Sequence, residues 1–302
     1  MTHLNKSGHA MLVENSNQGD GNPLMRGKAG PPRNNPDNAS VATGGDGYCP
    51  FNLFRTGGDI GPDFGNIMGK LELVRPYLDH DTPISRPGCW AYPDMLEVGN
   101  FAGPLNHTES RTHFGAWCIV SSPLILGMDV TDPDLVRSVY DIISNEDAIR
   151  VNQQWAGHPG RRIAPGSTAG RCIAPACTHQ VWGKILARPA AVEEKEEEEE
   201  KRGSAVGGAV AAVAAVADVA AAAAAGTELQ AILVINSGSD TPLDVSLKLA
   251  DLGISPADMK AGVCARDVWA RKDVGPVASD GSWDVKGLAQ HDSAFYIFSR
   301  CK

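Results

Sequence analysis

The 302-residue sequence predicts an α/β region built as half of a (β/α)8 (TIM) barrel, followed by an antiparallel β-sandwich. Three observations carry this prediction. Between Phe54 and Asn100, two apolar runs, each ending in a carboxylate beside Gly or Pro, flank an amphipathic helix; this is the pattern of a βαβ unit with acids at its strand ends. At most four strand–helix units fit before residue 155, whereas a complete barrel takes about 250 residues. Beyond residue 158 the apolar period becomes two, most clearly where Leu243, Val245, Leu247 and Leu249 alternate with Asp244, Ser246 and Lys248.

In chain order, His9–Glu14 reads as a buried strand ending in Glu14. Residues 17–48 are rich in Gly, Asn and Pro without periodicity, and long loops of this kind commonly build a barrel's substrate site. Phe54–Ile60 is the next strand, with Gly57 and Gly58 free to turn the backbone ahead of Asp59. Pro62-Asp63 then opens a helix carrying Phe64, Ile67, Met68, Leu71, Leu73 and Val74. A third strand runs from Trp90 towards Asp94. Residues 106–118 are helical, with Phe114, Gly115, Ala116 and Trp117 available to pack, and Ser121–Val130 is the fourth strand. Asp132 supplies an N-cap with Pro133 at the first helical position, and Leu135, Val139, Ile142 and Ile143 follow on the face that covers the sheet. Residues 1–157 thus form the partial barrel and 158–302 the β-domain, with strands at Thr178–Leu186, Leu229–Asn236, Leu243–Leu249, Val263–Trp269, Trp283–Val285 and Ala294–Ser299. A low-complexity insertion, residues 190–227, interrupts that domain. Its Ala205–Ala225 block is too weakly apolar for a membrane helix and carries Gly207, Gly208 and Asp218, so a disordered or loosely helical insertion is expected and no membrane partner.

The net charge is −9, and Glu193–Arg202 alone holds seven Glu against three basic residues. No basic patch with interleaved aromatics occurs, which excludes a nucleic-acid partner. Seven cysteines leave at least one unpaired within the chain. Cys172 and Cys177 either bridge a short loop or are unrelated thiols, and no second Cys/His pair stands at zinc-ligand spacing. Met1–Lys6 lacks the apolar core of a signal peptide, while sequons stand at Asn5, Asn38 and Asn106.

Five ordered motifs make the pattern specific. They are Arg55-x-x-x-Asp59-Ile60; Trp90-x-x-Pro93-Asp94-Met95-Leu96-x-x-Gly99-Asn100; Arg111-Thr112-His113-Phe114-Gly115-Ala116-Trp117; Ser122-Pro123-Leu124-Ile125-Leu126-Gly127; and Ala148-Ile149-Arg150-Val151-Asn152-Gln153. Together they resemble the alpha-galactosidases (melibiases) of glycoside hydrolase family 27, over roughly residues 5–160 and more weakly after residue 178. The resemblance implies barrel strands 5–8, with Glu14 ending the fifth. It also implies the family's C-terminal β-sandwich, of which Arg266-Asp267-Val268-Trp269 matches a recurrent piece, and a secreted, lysosomal or vacuolar setting.

Retaining glycosidases need two carboxyl groups about 5–5.5 Å apart, one attacking the anomeric carbon and one protonating the leaving oxygen. The resemblance makes Asp59 that proton donor; read alone, it is a loop Asp forming a turn. It makes Arg55 a substrate contact, since a guanidinium binds adjacent sugar hydroxyls with parallel hydrogen bonds; the alternative is a salt bridge to a barrel acid. Glu14 is either a sugar-binding acid or an ordinary strand-end carboxylate. Asp94 holds the site in shape, and Trp90 offers a face to the sugar or packs in the core. No cofactor is implied, because acid and nucleophile are both carboxylates, and no metal.

Three departures stand against the family pattern. Ala91-Tyr92 replaces Asn-Asp, which puts strict galactose specificity in doubt. Cys49 resembles the family's disulfide cysteine, but its expected partner near Ser16 is absent. No Lys-x-Asp-x-Cys, the nucleophile motif of the fourth strand, occurs, and Asp20, Asp37 and Asp46 lie in the wrong loop to replace it. A fragment, or one half of a split protein, is therefore expected, with a homodimer as another way to close the barrel. The leading expectation is a retaining glycosidase of terminal alpha-D-galactosides. The alternatives are an alpha-N-acetylgalactosaminidase or beta-L-arabinopyranosidase, or a non-catalytic carbohydrate-binding protein.

Overall fold

A computed structural model describes residues 8–16, 51–79, 84–100, 105–164, 177–186, 228–238 and 240–301. The loop at 17–48, the insertion at 190–227, Asp20, Asp37, Asp46, Cys49, Cys172 and the sequons at Asn5 and Asn38 lie outside the described residues.

Three short strands, β1 (Glu14–Asn15), β2 (Leu53–Arg55) and β3 (Trp90–Tyr92), pair in parallel in that spatial order. Their register sets Glu14 beside Leu53 and Arg55 beside Tyr92. Between β2 and β3 runs α1 (Phe64–Val74), capped as expected by Asp63, whose side chain accepts the Asn66 N–H at 2.8 Å. Phe64, Ile67, Met68, Leu71 and Val74 are buried in the same core as Phe54 and Ala91, so alternate strand residues face the helix layer.

Two expected strands differ. Of His9–Glu14 only Glu14 is strand; Met11 and Leu12 are 47% and 69% exposed, because β1 is the outer strand of the described sheet and has a neighbour on one side only. Ser121–Val130 forms no strand. It makes one parallel bridge, Leu96 to Leu126, through Leu96 N–H to Ile125 O at 2.8 Å and Gly127 N–H to Leu96 O at 2.9 Å. Pro123 has no N–H to donate and Ser121 turns through a φ of 55°, so a ladder cannot extend backwards.

The helices that follow are α2 (His107–Ile119), α3 (Pro133–Ile143) and α4 (Glu146–Gln153). A capping box, in which Asn106 and Glu109 each accept the other's N–H, fixes the start of α2. Asp132 caps α3 with Pro133 inside the first turn, and Val139 and Ile142 are buried, as their spacing requires. The sequence offered no apolar stripe for α4, which buries only Asp147, Ala148 and Val151.

The C-terminal region is a sandwich of unequal sheets. β4 (Arg161–Ala164), β5 (His179–Ile185), β6 (Glu228–Asn236), β8 (Val263–Asp267), β9 (Lys272–Pro276) and β11 (Ser293–Arg300) form a six-stranded antiparallel sheet in the order β4-β5-β6-β11-β8-β9. β7 (Leu243–Lys248) and β10 (Ser282–Leu288) form the smaller sheet, and α5 (Pro256–Ala261) precedes β8. Trp182, Leu233, Ile235, Phe295 and Ile297 face the helix layer and join the core of Phe114, Ala116 and Trp117. Val181, Ile232, Val234 and Phe298 face Leu247, Val285 and Leu288 of the smaller sheet. With both faces of β6 covered, its sequence reads as a continuous apolar run, whereas β7, covered on one face, alternates.

Gly115 lets α2 lie directly against the sheet: a Cβ there would stand 2.7 Å from the Trp269 ring. Polar ties join the same layers. Thr112 donates its hydroxyl to His291 O at 2.8 Å, Arg111 pairs with Asp292 at 2.6 Å, and Asn145 Nδ2 donates to Val268 O at 2.9 Å. Lys184 of β5 is buried with its ammonium on Ser121 Oγ (2.7 Å), Asn152 O (3.1 Å) and Val151 O, and burial pulls its pKa down to about 7. Cys264 and Cys301 form a disulfide that the sequence did not signal, Cys89 and Cys177 each take part in a disulfide, and Cys118 is free and buried.

Candidate active site

The ends of the three parallel strands deliver the polar residues to one place. Arg55 ends β2, Tyr92 ends β3 beside it, and the ladder continues one step further through Thr56 N–H to Tyr92 O at 3.0 Å. Asp59 follows in the loop after β2, and Asp94 follows Pro93 after β3. One guanidinium holds both acids: Arg55 Nη2 lies 2.9 Å from Asp59 Oδ1 and pairs with Asp94 Oδ2. The salt bridge to a barrel acid, one alternative for Arg55, is therefore present.

Asp94 is the fixed member of the cluster. It is buried, and its φ of 128° is a conformation that side chains rarely adopt. Holding it costs on the order of 1–3 kcal/mol, which the surroundings must offset. Oδ2 also accepts the Ile60 N–H at 2.9 Å, Oδ1 accepts the Met95 N–H at 2.8 Å, and the main-chain carbonyl accepts the Trp117 indole N–H at 2.7 Å. Asp59 is the opposite case, its side chain 94% exposed and, among the described residues, hydrogen-bonded through Arg55.

Glu14 stands at the end of β1, and burial of part of its carboxyl raises its pKa, opposed by the Arg55 charge and reinforced by Asp94. Trp90 shares the sheet face of Arg55 and Tyr92, one row deeper beside Leu53, half-buried and edge-to-face with Trp155 at 5.5 Å. Tyr92, one of the departures, is buried; burial, then Asp94 and Glu14, push its phenol pKa up, so it remains a neutral hydroxyl beside those acids.

Lys70 is a member that sequence reasoning missed. From α1 it donates its ammonium to Gly58 O, directly before Asp59, and burial pulls its pKa below the usual amine range while Asp94 opposes that shift. Its signal was its spacing: Lys70 stands three residues after Ile67 and four before Val74, on the buried stripe of the helix. Among the described residues no cluster of three or more His, Cys, Asp or Glu could hold a metal ion.

With an exposed carboxylate beside a buried, rigid one, both on one guanidinium, a ligand can reach Asp59 while the rest of the site keeps its shape. Comparison with known proteins bears on the family and the fold. Residues 33–154 match the family model described as alpha galactosidase A, and residues 217–298 match the alpha galactosidase C-terminal beta sandwich domain. An alpha-galactosidase of Oryza sativa subsp. japonica is 35% identical over 112 residues, 37% of this chain and 25% of the rice protein. An alpha-N-acetylgalactosaminidase of Mus musculus is 33% identical over 112 residues, 37% of this chain and 26% of its own length. The chain thus matches about a quarter of the length of these curated relatives. Among solved structures, alpha-galactosidase I of Mortierella vinacea superposes with a TM-score of 0.61 at 21% identity, over 98% of this chain and 60% of that one. A GH27 β-L-arabinopyranosidase of Geobacillus stearothermophilus gives 0.59 at 20% identity, over 89% and 48% respectively. These two share the fold. With a catalytic-domain model and a sandwich model of one family matching in order along the sequence, the chain belongs to the alpha-galactosidase (melibiase) family.

Proposed function

We propose that this chain supplies the proton-donating side of a retaining glycosidase that acts on terminal alpha-D-galactosides. The observation that carries the reading is the Arg55 bridge, which ties an exposed Asp59 to a buried Asp94 at the ends of adjacent parallel strands. Asp59 is the acid/base, free to meet the glycosidic oxygen; Arg55 and Glu14 contact sugar hydroxyls, Asp94 keeps Arg55 aimed, and Trp90 supports the floor. The attacking carboxylate comes from polypeptide bearing a Lys-x-Asp-x-Cys strand, a motif absent from these residues. Tyr92, where the family resemblance expects an acid, favours a second reading in which the pocket takes a related sugar such as an alpha-N-acetylgalactosaminide or beta-L-arabinopyranoside.

Turnover of chromogenic alpha-galactosides, by the purified chain and by the chain joined to such a strand, tests the proposal. Activity only in the joined form, lost on Asp59→Asn, is expected. Activity in the 302-residue chain alone would overturn the division of labour. Sugar binding without turnover in either form would leave only the carbohydrate-binding alternative.

A further inference from the structure

The loop that carries Asp59 lies along one face of α1 and runs against the helix direction. Gly61 N–H donates to Asn66 Oδ1 at 2.7 Å, and Gly58 O accepts from the Lys70 ammonium. Gly57 packs so close to Leu73 that a Cβ there would lie 2.6 Å from its Cδ1. Asn66, Lys70 and Leu73 follow one another at spacings of four and three, which stacks them on one face of the helix. Asp59 falls between the two polar tethers, one residue after Gly58 and two before Gly61. Ile60 N–H, on Asp94 Oδ2 at 2.9 Å, ties the same stretch to the end of β3.

Lys70 is the unexpected member. It is 8% exposed on the buried stripe of α1, where an apolar side chain of similar length would pack without taking a charge out of water. Burial pulls its pKa below the ordinary amine range; the Asp94 and Asp59 charges oppose that pull, and Arg55 adds to it. The ammonium is directed at the main-chain carbonyl immediately before Asp59.

We infer that Asn66 and Lys70 are positioning residues for Asp59, a two-point clamp on the loop main chain through which α1 fixes where an exposed carboxyl stands. The inference rests on the reading of Asp59 as the acid/base. A carboxyl free to turn towards a glycosidic oxygen keeps its place through its main chain, and a displacement of about 1 Å costs on the order of 100-fold in rate.

Amide exchange and kinetics test it. In the 302-residue chain, Lys70→Met, close in volume, should speed exchange of the Ile60 and Gly61 amides about tenfold, the loss of one hydrogen bond, and leave that of Leu233 in β6 unchanged. In the form joined to the nucleophile strand, Lys70→Met and Asn66→Ala should each lower kcat about 10- to 100-fold with KM unchanged. Asn66→Asp, which keeps the acceptor for Gly61, should recover most of that loss. Asn66 is uncharged, so matching losses separate placement from the electrostatic effect of removing a cation. Four results overturn the clamp and leave the acid/base reading standing: unchanged exchange at Ile60 and Gly61, faster exchange at Leu233 as well, a kcat loss in Lys70→Met alone, or native kcat in both variants while Asp59→Asn is inactive. A joined form that is inactive, or whose activity survives Asp59→Asn, removes that reading and this inference with it.

Discussion

The parallel strands that carry the candidate active site and the antiparallel sheet behind them are held by different forces. β1, β2 and β3 are two or three residues long, and their polar ends are organised by a single guanidinium. β6 and β11 run for nine and eight residues and are buried between two layers of apolar side chains. Burial of a Leu or Phe side chain contributes roughly 1.5–3 kcal/mol, whereas an ion pair with an exposed partner, as in Arg55–Asp59, contributes about 0–1 kcal/mol. The sheet therefore supplies stability, and the strand ends hold the polar cluster of the proposed site.

The largest effect that sharpens this contrast is on turnover. Asp59→Asn should lower kcat about 10²- to 10⁴-fold in the joined form, the usual weight of a positioned acid, and leave the melting temperature unchanged because the side chain is 94% exposed. A clear drop in melting temperature would show that Asp59 is structural. Phe295→Ala, in the sheet, should do the reverse. The ring is fully buried against Trp269, so its loss should cost about 3–5 kcal/mol in a denaturant titration, with turnover of the folded fraction preserved.

A third effect depends on pH. His113 is wholly buried on α2, accepts the Glu97 N–H at 2.9 Å, and has its pKa lowered by burial from 6.5 to about 3. The unfolded chain takes up this proton first as pH falls. The contribution of neutral His113 is therefore complete above about pH 6.5 and is lost as pH drops towards about 3, by about 1.4 kcal/mol per pH unit. Subtracting the stability–pH profile of His113→Gln from that of the native chain should leave this slope. A flat difference would mean that the imidazole is not desolvated.

The same contrast explains what the sequence made legible. β7 alternates because one face is covered, and Asp132-Pro133 places the start of α3 by local chemistry alone. Motif order singles out Arg55, Asp59 and Asp94. Their joining by one guanidinium is not legible there, because it depends on the register that sets Arg55 beside Tyr92. Likewise Cys264 and Cys301 are 37 residues apart and meet only because β8 and β11 pair. Residues 9–14 and 121–130 misled in the other direction. Their apolar composition suits a strand, but a ladder also needs a partner strand alongside and N–H groups to donate: β2 meets residues 9–14 only at their end, and Pro123 has no N–H.

The smallest effect separates rigid from merely charged. Trp117 donates its indole N–H to the carbonyl of Asp94, whose φ of 128° a glycine would adopt without strain. Trp117→Phe removes that bond and should cost about 1 kcal/mol of stability. If the indole holds the strained backbone, the cost should shrink when Trp117→Phe is made together with Asp94→Gly, where no strain remains to be held. An equal cost in both backgrounds would show that Trp117 only fills space, and that the rigidity of Asp94 comes from Arg55 and the Ile60 and Met95 N–H groups.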